Sequence, residues 1–310
     1  MYFPYLRGKQ YELSALRDLL IDNKLGNEIV PIIEPEKMTL ALLKTMEVFR
    51  DKKHPIAVVY NPQGRAFFQE LQRNDDKITI KLRKNFENND NIIKAYIMNE
   101  NICQEIKSNP CKSDFMIVND NRECLDSYLE AYDNESEQPK YVLMPDERSF
   151  KRIIKGMRII LEDNFNKKIR NADYAQTVDE LFSYTHLDYR DVGYSGFSDY
   201  SIIGKDLSLS GFAPRAVVIH IVYFDNKNEL RIHHFVSDTN DGIENPAGKF
   251  YEAVSKLKKW CDENNITRTT GLAGFYDCIQ NGRYPGLGMV KKFSIMHHLE
   301  LMHNYLGGIQ

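Results

Sequence analysis

The sequence predicts an α/β fold, a (β/α)8 barrel of the TIM type that carries a β-hairpin insertion before its closing helices. Three observations favour this fold. Short apolar runs recur along the chain, and an acid, an amide or a proline stops each of them. Segments with helical spacing of apolar residues alternate with these runs. Most runs are apolar at consecutive positions, as parallel strands are when both of their faces are buried.

Eight runs are candidate strands. The clearest lies at residues 30–35, where Val30, Ile32 and Ile33 precede Glu34. Strand and helix alternate from the first residue to about residue 163, as crossovers between parallel strands require. The other seven candidate strands lie at residues 2–7, 56–62, 95–99, 115–120, 141–146, 159–163 and 200–204.

Two segments exceed what a minimal barrel needs, and we interpret them as insertions at about residues 64–91 and 206–243. In the second, the runs at 216–224 and 229–236 flank a turn-forming cluster at 225–228, which predicts a β-hairpin. Residues 246–264 predict the closing helix, and a last helix is expected at about 289–305. We expect one domain that spans residues 1–310.

Charge and cysteine content limit the possible partners and compartments. The net charge of -3 gives no overall positive field, which disfavours direct nucleic-acid binding and an anionic membrane surface. The five cysteines are odd in number and include no Cys-x-x-Cys pair, which is typical of a reducing compartment. No secretory leader begins the chain, and no apolar run is long enough to cross a bilayer. The sequence therefore predicts a cytoplasmic protein without membrane contact.

Polar residues at the strand ends form the candidate site, because the carboxyl ends of barrel strands meet at one rim. The candidate catalytic residues are Glu34, Glu162, Asp163 and Asp199, as acid and base or as ligands of a divalent cation. The alternative, that these acids are solvated strand ends and helix caps, stays open. The candidate ligand-binding residues, which add cations, amides and one more acid, are Arg7, Lys9, Asn61, Asn99, Asn119 and Asp146.

Strand alternation gives a more specific expectation for two of the acids. Glu34 shares parity with Ile32, and Glu162 shares parity with Ile160, so each is expected to point into the barrel mouth. Arg7 and Lys9, which flank Gly8, would hold an anionic group beside the N-terminus of the following helix, with Lys9 as a plain surface charge as the alternative.

Three other motifs have a functional and a structural interpretation. The loop at 193–198 precedes the last strand, a position at which barrels bind phosphate, but it matches no phosphate-loop motif. In a symmetric hairpin His220 and His233 would face each other, as half of a metal site or as a plain cross-strand pair. The pair Glu300 and His303 is one copy of a di-metal helix motif without its partner carboxylates.

Several motifs together resemble the bacterial and phage "beta protein" family. They are YFPYLRGKQYELSALR at 2–17, PIIEP at 31–35, GFSDY at 196–200, and IH at 219–220 with HHFVSD at 233–238. They look closest to a subgroup of about this length, and the resemblance covers nearly the whole chain. It implies a barrel protein of mobile or defence-type loci, encoded in the subgroup beside a nuclease-like protein. The family supplies no established catalytic residues.

Two functions follow as expectations. The first is a sensor or scaffold that works with a partner nuclease in bacterial defence, with the hairpin and closing helices as its docking surface. The second is a barrel enzyme that acts on a phosphorylated or nucleotide-like ligand, an anionic small molecule, through the acids of the rim. No motif names a reaction, since the chain contains no H-E-x-x-H, G-x-S-x-G, P-loop or G-x-G-x-x-G sequence.

Overall fold

The computed structural model describes residues 1–64, 67, 70, 77–87, 89–108, 115–132, 138–206 and 214–309. Contacts within the chain divide it into two compact units. The second unit contains the hairpin and the closing helices. The expectation that residues 1–310 form one domain stays a prediction. Unit 1 comprises Met1–Leu13, Gly26–Glu162 and Asp188–Asp199, and unit 2 comprises Ser14–Leu25, Asp163–Leu187 and Tyr200–Gln310.

Unit 1 is built on eight parallel strands, and each pairs in parallel with the next. The edges of this sheet meet, because Tyr2 bridges both Ile29 and Phe197, and the Phe3 N–H donates to the Phe197 carbonyl at 2.8 Å. The sheet is thus nearly closed, and the predicted (β/α)8 fold is confirmed. The strands are β1 (Tyr5–Leu6), β2 (Ile32–Ile33), β3 (Ile56–Val59), β4 (Ile92–Ile97), β5 (Phe115–Val118), β6 (Tyr141–Met144), β7 (Arg158–Glu162) and β9 (Gly196–Asp199), while β8 (Asp179–Ser183) lies in unit 2.

Helices follow the first six strands, as the apolar spacing predicts. In the second of them, Thr39 caps the N-terminus by accepting a hydrogen bond from the Leu42 N–H at 3.1 Å, and Met46 and Phe49 extend its buried stripe. The expected insertion at 64–91 contains the helix at residues 77–87, and residues 65, 66, 68, 69, 71–76 and 88 of it lie outside the described residues. The helices are α1 (Gln10–Ile21), α2 (Leu40–Asp51), α3 (Lys77–Glu87), α4 (Glu100–Ser108), α5 (Leu125–Ala131) and α6 (Arg148–Ile153).

Two ring contacts identify the side of the strands that faces the helices. The ring of Tyr60, directly after β3, lies 5.6 Å from that of Phe86 in α3, and the ring of Phe115 in β5 lies 6.3 Å from that of Tyr132, directly after α5. Alternate residues of a strand point to opposite sides, so Ala57, three residues before Tyr60, faces the barrel interior.

The parallel register extends this assignment around the barrel. Ala57 pairs with Ile32, and Ile32 pairs with Tyr5, so these three positions share the inner side. On the helix-facing side, Ile117 of β5 pairs with Val142, which in turn pairs with Arg158. The even-numbered residues of β7 therefore face the helices, and its odd-numbered residues face the interior.

The eighth barrel strand is β9, which ends at Asp199. The prediction of this strand at residues 200–204 was wrong. Ser201–Ile203 instead form a 3-10 turn that begins with a left-handed residue, Ser201 at φ 48°. The strand was missed because it begins with Gly196 and carries two polar residues. A glycine is required there, since a Cβ at Gly196 would lie 2.8 Å from a ring atom of Phe3.

Unit 2 contains a three-stranded antiparallel sheet in the order β10 (Val218–Phe224), β11 (Leu230–Val236), β8. The predicted hairpin is confirmed. Its turn is held by Asp225, whose Oδ1 accepts the Lys227 and Glu229 N–H groups at 2.8 and 3.0 Å, and by Asn228 at φ 61°. Strand β8, an edge strand of this sheet, was not predicted from the sequence. Residues 207–213 of the expected 206–243 insertion lie outside the described residues.

Three long helices complete unit 2. The closing helix α8 (Pro246–Asn264) has the predicted bounds, and α10 (Leu287–Gly307) matches the predicted last helix, whereas α9 (Thr270–Gln280) was missed. The short helix α7 (Thr185–Asp188) follows β8. Among the helices that the described residues form, none combines the length and the apolarity needed to cross a bilayer.

Two adjacent histidines of α10 are buried and have fixed partners. His297 is hydrogen-bonded through Nδ1 to Thr269 Oγ1 at 2.8 Å and through Nε2 to the Val222 carbonyl at 2.7 Å, and His298 is hydrogen-bonded through Nδ1 to Ser201 Oγ at 2.9 Å. Burial lowers the pKa of His297 to about 4 and that of His298 to about 3, from an ordinary value of 6.5. Both rings are therefore neutral in the folded protein near pH 7.

We expect the stability of the protein to fall as the pH decreases from 6.5 to 5. In this window the unfolded chain protonates both histidines and the folded chain does not, so each costs about 2 kcal/mol of the free energy of unfolding by pH 5. Urea unfolding at pH 7 and pH 5 measures this loss. The variants His297→Gln and His298→Gln should each reduce the pH dependence by about that amount, and an unchanged dependence in both would contradict the assignment.

Candidate functional site

The inner rim of the barrel holds a buried ion pair between Arg7 and Glu34, whose side chains are 5% and 3% exposed. Arg7 Nη1 donates to Glu34 Oε2, and the Tyr5 hydroxyl donates to the same oxygen at 2.9 Å. The Gln63 N–H donates to Oε1 at 2.9 Å. Both oxygens of this carboxylate are therefore engaged by fixed donors. The structure brings Arg7 and Glu34 together, but as partners of each other.

The turn from Arg7 to Lys9 is fixed by the first turn of α1. Glu12 Oε2 accepts the N–H groups of Arg7 and Lys9 at 2.9 and 3.3 Å, a favourable place for an acid at a helix N-terminus. Gly8 takes a left-handed φ of 68° within this turn. The Lys9 ammonium lies 3.5 Å from Glu36, and both side chains are about 40% exposed, so this pair contributes less than about 1 kcal/mol.

The acids at the ends of β7 and β9 lie on the other side of the sheet. Glu162 pairs with Asp199 across the ladder, and Glu162 shares its side with Ile160, which faces the helices. Asp199 is buried and its Oδ1 accepts the Tyr2 hydroxyl at 2.8 Å. The expectation that Glu162 points into the mouth with Glu34 was wrong. Asp199 ends β9, whereas the strand predicted at residues 200–204 would begin directly after it.

Two of the candidate ligand-binding amides serve the backbone. Asn61 donates to the Ile97 carbonyl and accepts the Ile97 N–H, both at 2.8 Å, and thereby extends the pairing of β3 with β4. Asn99 Oδ1 accepts the Ile102 N–H at 3.0 Å and caps α4.

The remaining strand-end candidates have three different environments. Asp146 is bound by the Lys151 ammonium and, at 2.9 Å, by the Tyr194 hydroxyl. Asn119 is 1% exposed, and its side-chain nitrogen and oxygen find no hydrogen-bond partner among the described residues. Asp163 belongs to unit 2, where its Oδ2 accepts the Lys205 N–H at 3.1 Å. The catalytic and binding roles assigned to the ten candidates remain predictions.

The structure also corrects two of the weaker motifs. The Ser195 N–H donates to the carbonyl of Arg158, the first residue of β7, at 2.8 Å. The loop at 193–198 therefore lies at the amino ends of the strands, opposite the rim at which barrels bind phosphate. In the hairpin His220 pairs with His234, and His233 pairs with Ile221. A shift of one residue in the register moves the predicted partner to the other face.

Glu300 of the last helix has structural partners within unit 2. Its carboxylate accepts the Thr270 N–H at 2.6 Å, at the start of α9, and lies 3.4 Å from the Lys24 ammonium. Within the described part of the chain, no group of three or more His, Cys, Asp and Glu side chains is placed to hold a metal ion.

A surface that the sequence analysis missed lies in unit 2. We call it the Trp260 face, and it consists of Trp260, Tyr223, Arg231, His233 and Phe235. The indole ring of Trp260 lies 4.7 Å from the ring of His233, 4.8 Å from that of Tyr223 and 5.5 Å from that of Phe235. Four of the five side chains are half-buried, and only Phe235 is fully buried. A groove of about 440 Å³ adjoins this face and is lined in part by Trp260 and His233.

One carboxylate organises the Trp260 face. Asp179 of β8 accepts hydrogen bonds from Arg231 Nε at 2.6 Å, from the Tyr223 hydroxyl at 2.8 Å and from His233 Nδ1 at 3.2 Å. Burial and this carboxylate raise the pKa of Tyr223 to about 12, and burial lowers the pKa of His233. The phenol and the imidazole are therefore neutral near pH 7, and Arg231 carries the positive charge.

Comparisons of the chain with protein-family models, with curated proteins and with solved structures find no match. The alternation of Arg231, His233 and Phe235 along β11 was the available signal for the missed face, because it places charged and aromatic side chains on one side of a strand.

Replacement of Glu34 by Gln should cost about 3 to 5 kcal/mol of the free energy of unfolding, because it leaves the buried Arg7 charge uncompensated. Glu36→Gln is the matched control. It removes a carboxylate that is 42% exposed and should change stability by less than about 0.5 kcal/mol. Urea unfolding of the two variants checks the difference, and equal stabilities would show that the buried pair does not support the fold.

Proposed function

We propose that this chain is an interaction protein, which binds a partner protein through the Trp260 face and acts as a sensor or scaffold in bacterial defence. The observation that carries the proposal is the cluster of one Trp, one Tyr, one Arg and one His, all half-buried, where helix α8 packs against a small sheet. Trp, Tyr and Arg are the residues that dominate binding energy at protein interfaces.

The fixed geometry of the Trp260 face also favours binding. Asp179 holds Arg231, Tyr223 and His233 in place, and Trp260 packs against the rings of its neighbours. Side chains that are already ordered lose little conformational entropy when a partner binds, so more of the contact energy remains as affinity.

The edge strand β8 extends the same surface. Leu181 is 46% exposed, Val178 directly before the strand is 45% exposed, and Tyr184 directly after it is 53% exposed. Exposed apolar side chains along a sheet edge are typical of sites where another chain adds a strand or packs. The docking surface therefore comprises the Trp260 face and this edge.

The identity of the partner is inferred from the family resemblance, which implies a nuclease-like protein encoded beside this chain. In this role both proteins work in the cytoplasm. The alternative, a barrel enzyme that uses the acids of the rim, receives less support. Three donors occupy both oxygens of Glu34, and Glu162 lies on the opposite side of the sheet.

Co-expression of the chain with the product of the adjacent gene should yield a stable complex in size-exclusion chromatography. Trp260→Ala and Arg231→Ala should each weaken its affinity, measured by calorimetry, about tenfold or more, because each removes a central anchor. Met157→Ala, which truncates a side chain 43% exposed in unit 1, is the control and should bind normally. The absence of a complex, or a complex that tolerates both substitutions, would refute the proposed docking surface.

A further inference from the structure

A second polar chain crosses the same small sheet on the side opposite the Trp260 face, with one residue from each strand. His234 of β11 stands between Glu180 of β8 and His220 of β10. His234 Nε2 lies 3.2 Å from Glu180 Oε1, and His234 Nδ1 lies 2.7 Å from His220 Nδ1. Asn166 Nδ2 donates to the other Glu180 oxygen at 3.1 Å. The order is Asn166, Glu180, His234, His220.

The contacts assign the protons when both rings are neutral. A carboxylate accepts only, so His234 Nε2 carries the hydrogen and donates to Glu180. His234 Nδ1 then has a lone pair, and His220 Nδ1 must be the donor between the two rings. This leaves a lone pair on His220 Nε2, an atom that makes no hydrogen bond to any described residue. The chain therefore ends in a base.

The environment keeps both rings neutral and in place. Burial lowers the pKa of His220 and of His234, and the charges of Lys291 on His220 and of Lys168 on His234 act in the same direction. The rings of Phe165 and Tyr174 lie 5.0 and 4.7 Å from that of His220. His234 is 2% exposed, whereas His220 is half-buried, so the imidazole that ends the chain is more exposed than the imidazole it contacts.

A purely structural cross-strand pair does not need this arrangement. Two apolar side chains would stabilise the sheet without the cost of removing imidazoles and a carboxylate from water. A carboxylate that orients one imidazole, with a free nitrogen at the far end, is instead the arrangement that supports a general base. The two lysines add a positive field that attracts an anionic substrate.

We propose that Glu180, His234 and His220 form an acid–base relay at which His220 Nε2 takes a proton from water that attacks an anionic phosphodiester attracted by the positive charges of Lys291 and Lys168. The water oxygen forms the new bond to phosphorus, and the bond between phosphorus and the leaving oxygen breaks with its electron pair. The leaving oxygen is protonated by solvent. The proton on His220 is stabilised through His234 by the Glu180 carboxylate and then returns to water. His220 is the catalytic residue, and His234 and Glu180 are positioning residues.

Hydrolysis of bis(p-nitrophenyl) phosphate by the purified full chain tests the relay. We expect slow turnover whose kcat/KM falls at low pH as His220 becomes protonated. His220→Gln should lose about 100-fold or more in kcat, as expected for removal of a general base. His303→Gln, on α10, is the control for a histidine outside the relay and should retain full turnover.

The pH profile separates the relay from a structural role. Glu180→Gln removes the charge that stabilises protonated His220, so the acid limb of kcat/KM should move to lower pH. A variant that is merely destabilised would lose activity at every pH without moving that limb. The proposal is overturned if the wild-type chain gives no turnover above buffer, if His220→Gln retains its rate, or if the acid limb of Glu180→Gln stays in place. None of these outcomes depends on the binding of a partner protein to the Trp260 face.

Discussion

Strand register is the constraint on which every assignment in this protein depends. In both sheets a side chain belongs to one of two sides, and a shift of one residue exchanges them. The register places Glu34 inside the barrel and Glu162 on its helix-facing side, although both acids end strands of the same sheet. In the antiparallel sheet the same rule separates His233 from His234. The chemistry available at each surface is therefore set by backbone pairing before any side chain contributes its own.

The buried ion pair shows that Glu34, a candidate catalytic residue, has a structural contact. A carboxylate has about four lone-pair positions, and three donors fill three of those of Glu34. Glu34 directs one oxygen to Arg7 and Tyr5 and the other to the Gln63 N–H, so its charge is compensated and its orientation fixed. Breaking a buried pair of this kind is expensive because the remaining charge is left without compensation. At the rim, the Glu34 carboxylate thus joins three segments: β1 with the residue after it, the end of β2, and the loop at Gln63.

The sequence predicted the order of the elements better than their faces. The barrel, the hairpin and the bounds of α8 follow from apolar periodicity and turn residues, which are local signals. The orientation of Glu162 could not be predicted, because both sides of β7 are apolar and alternation alone does not show which side is interior. Strand β9 was missed since Gly196 makes room for the Phe3 ring, a contact between residues nearly two hundred positions apart. Strand β8 was missed because it begins with two acids, Asp179 and Glu180, and therefore lacks the continuous apolar run of the other strands. The two acids serve the Trp260 face and the relay, respectively.

The three-stranded sheet of unit 2 carries two polar networks that do not share a side chain. On one side Asp179 gathers Arg231, Tyr223 and His233, and on the other Glu180 orients His234 and His220. The arrangement follows from the register, which pairs Asp179 with His233 and Glu180 with Ile232. His234 shares its side with Ile232, because alternate residues of a strand point to the same side. The two acids that organise the networks are neighbours in the backbone of β8, which has a strand partner on one edge only within the described sheet. A partner that pairs with the open edge would restrain Asp179 and Glu180 together. Partner binding and acid–base chemistry would then be coupled, because both would depend on how rigidly strand β8 is held. The two networks would not need to contact each other.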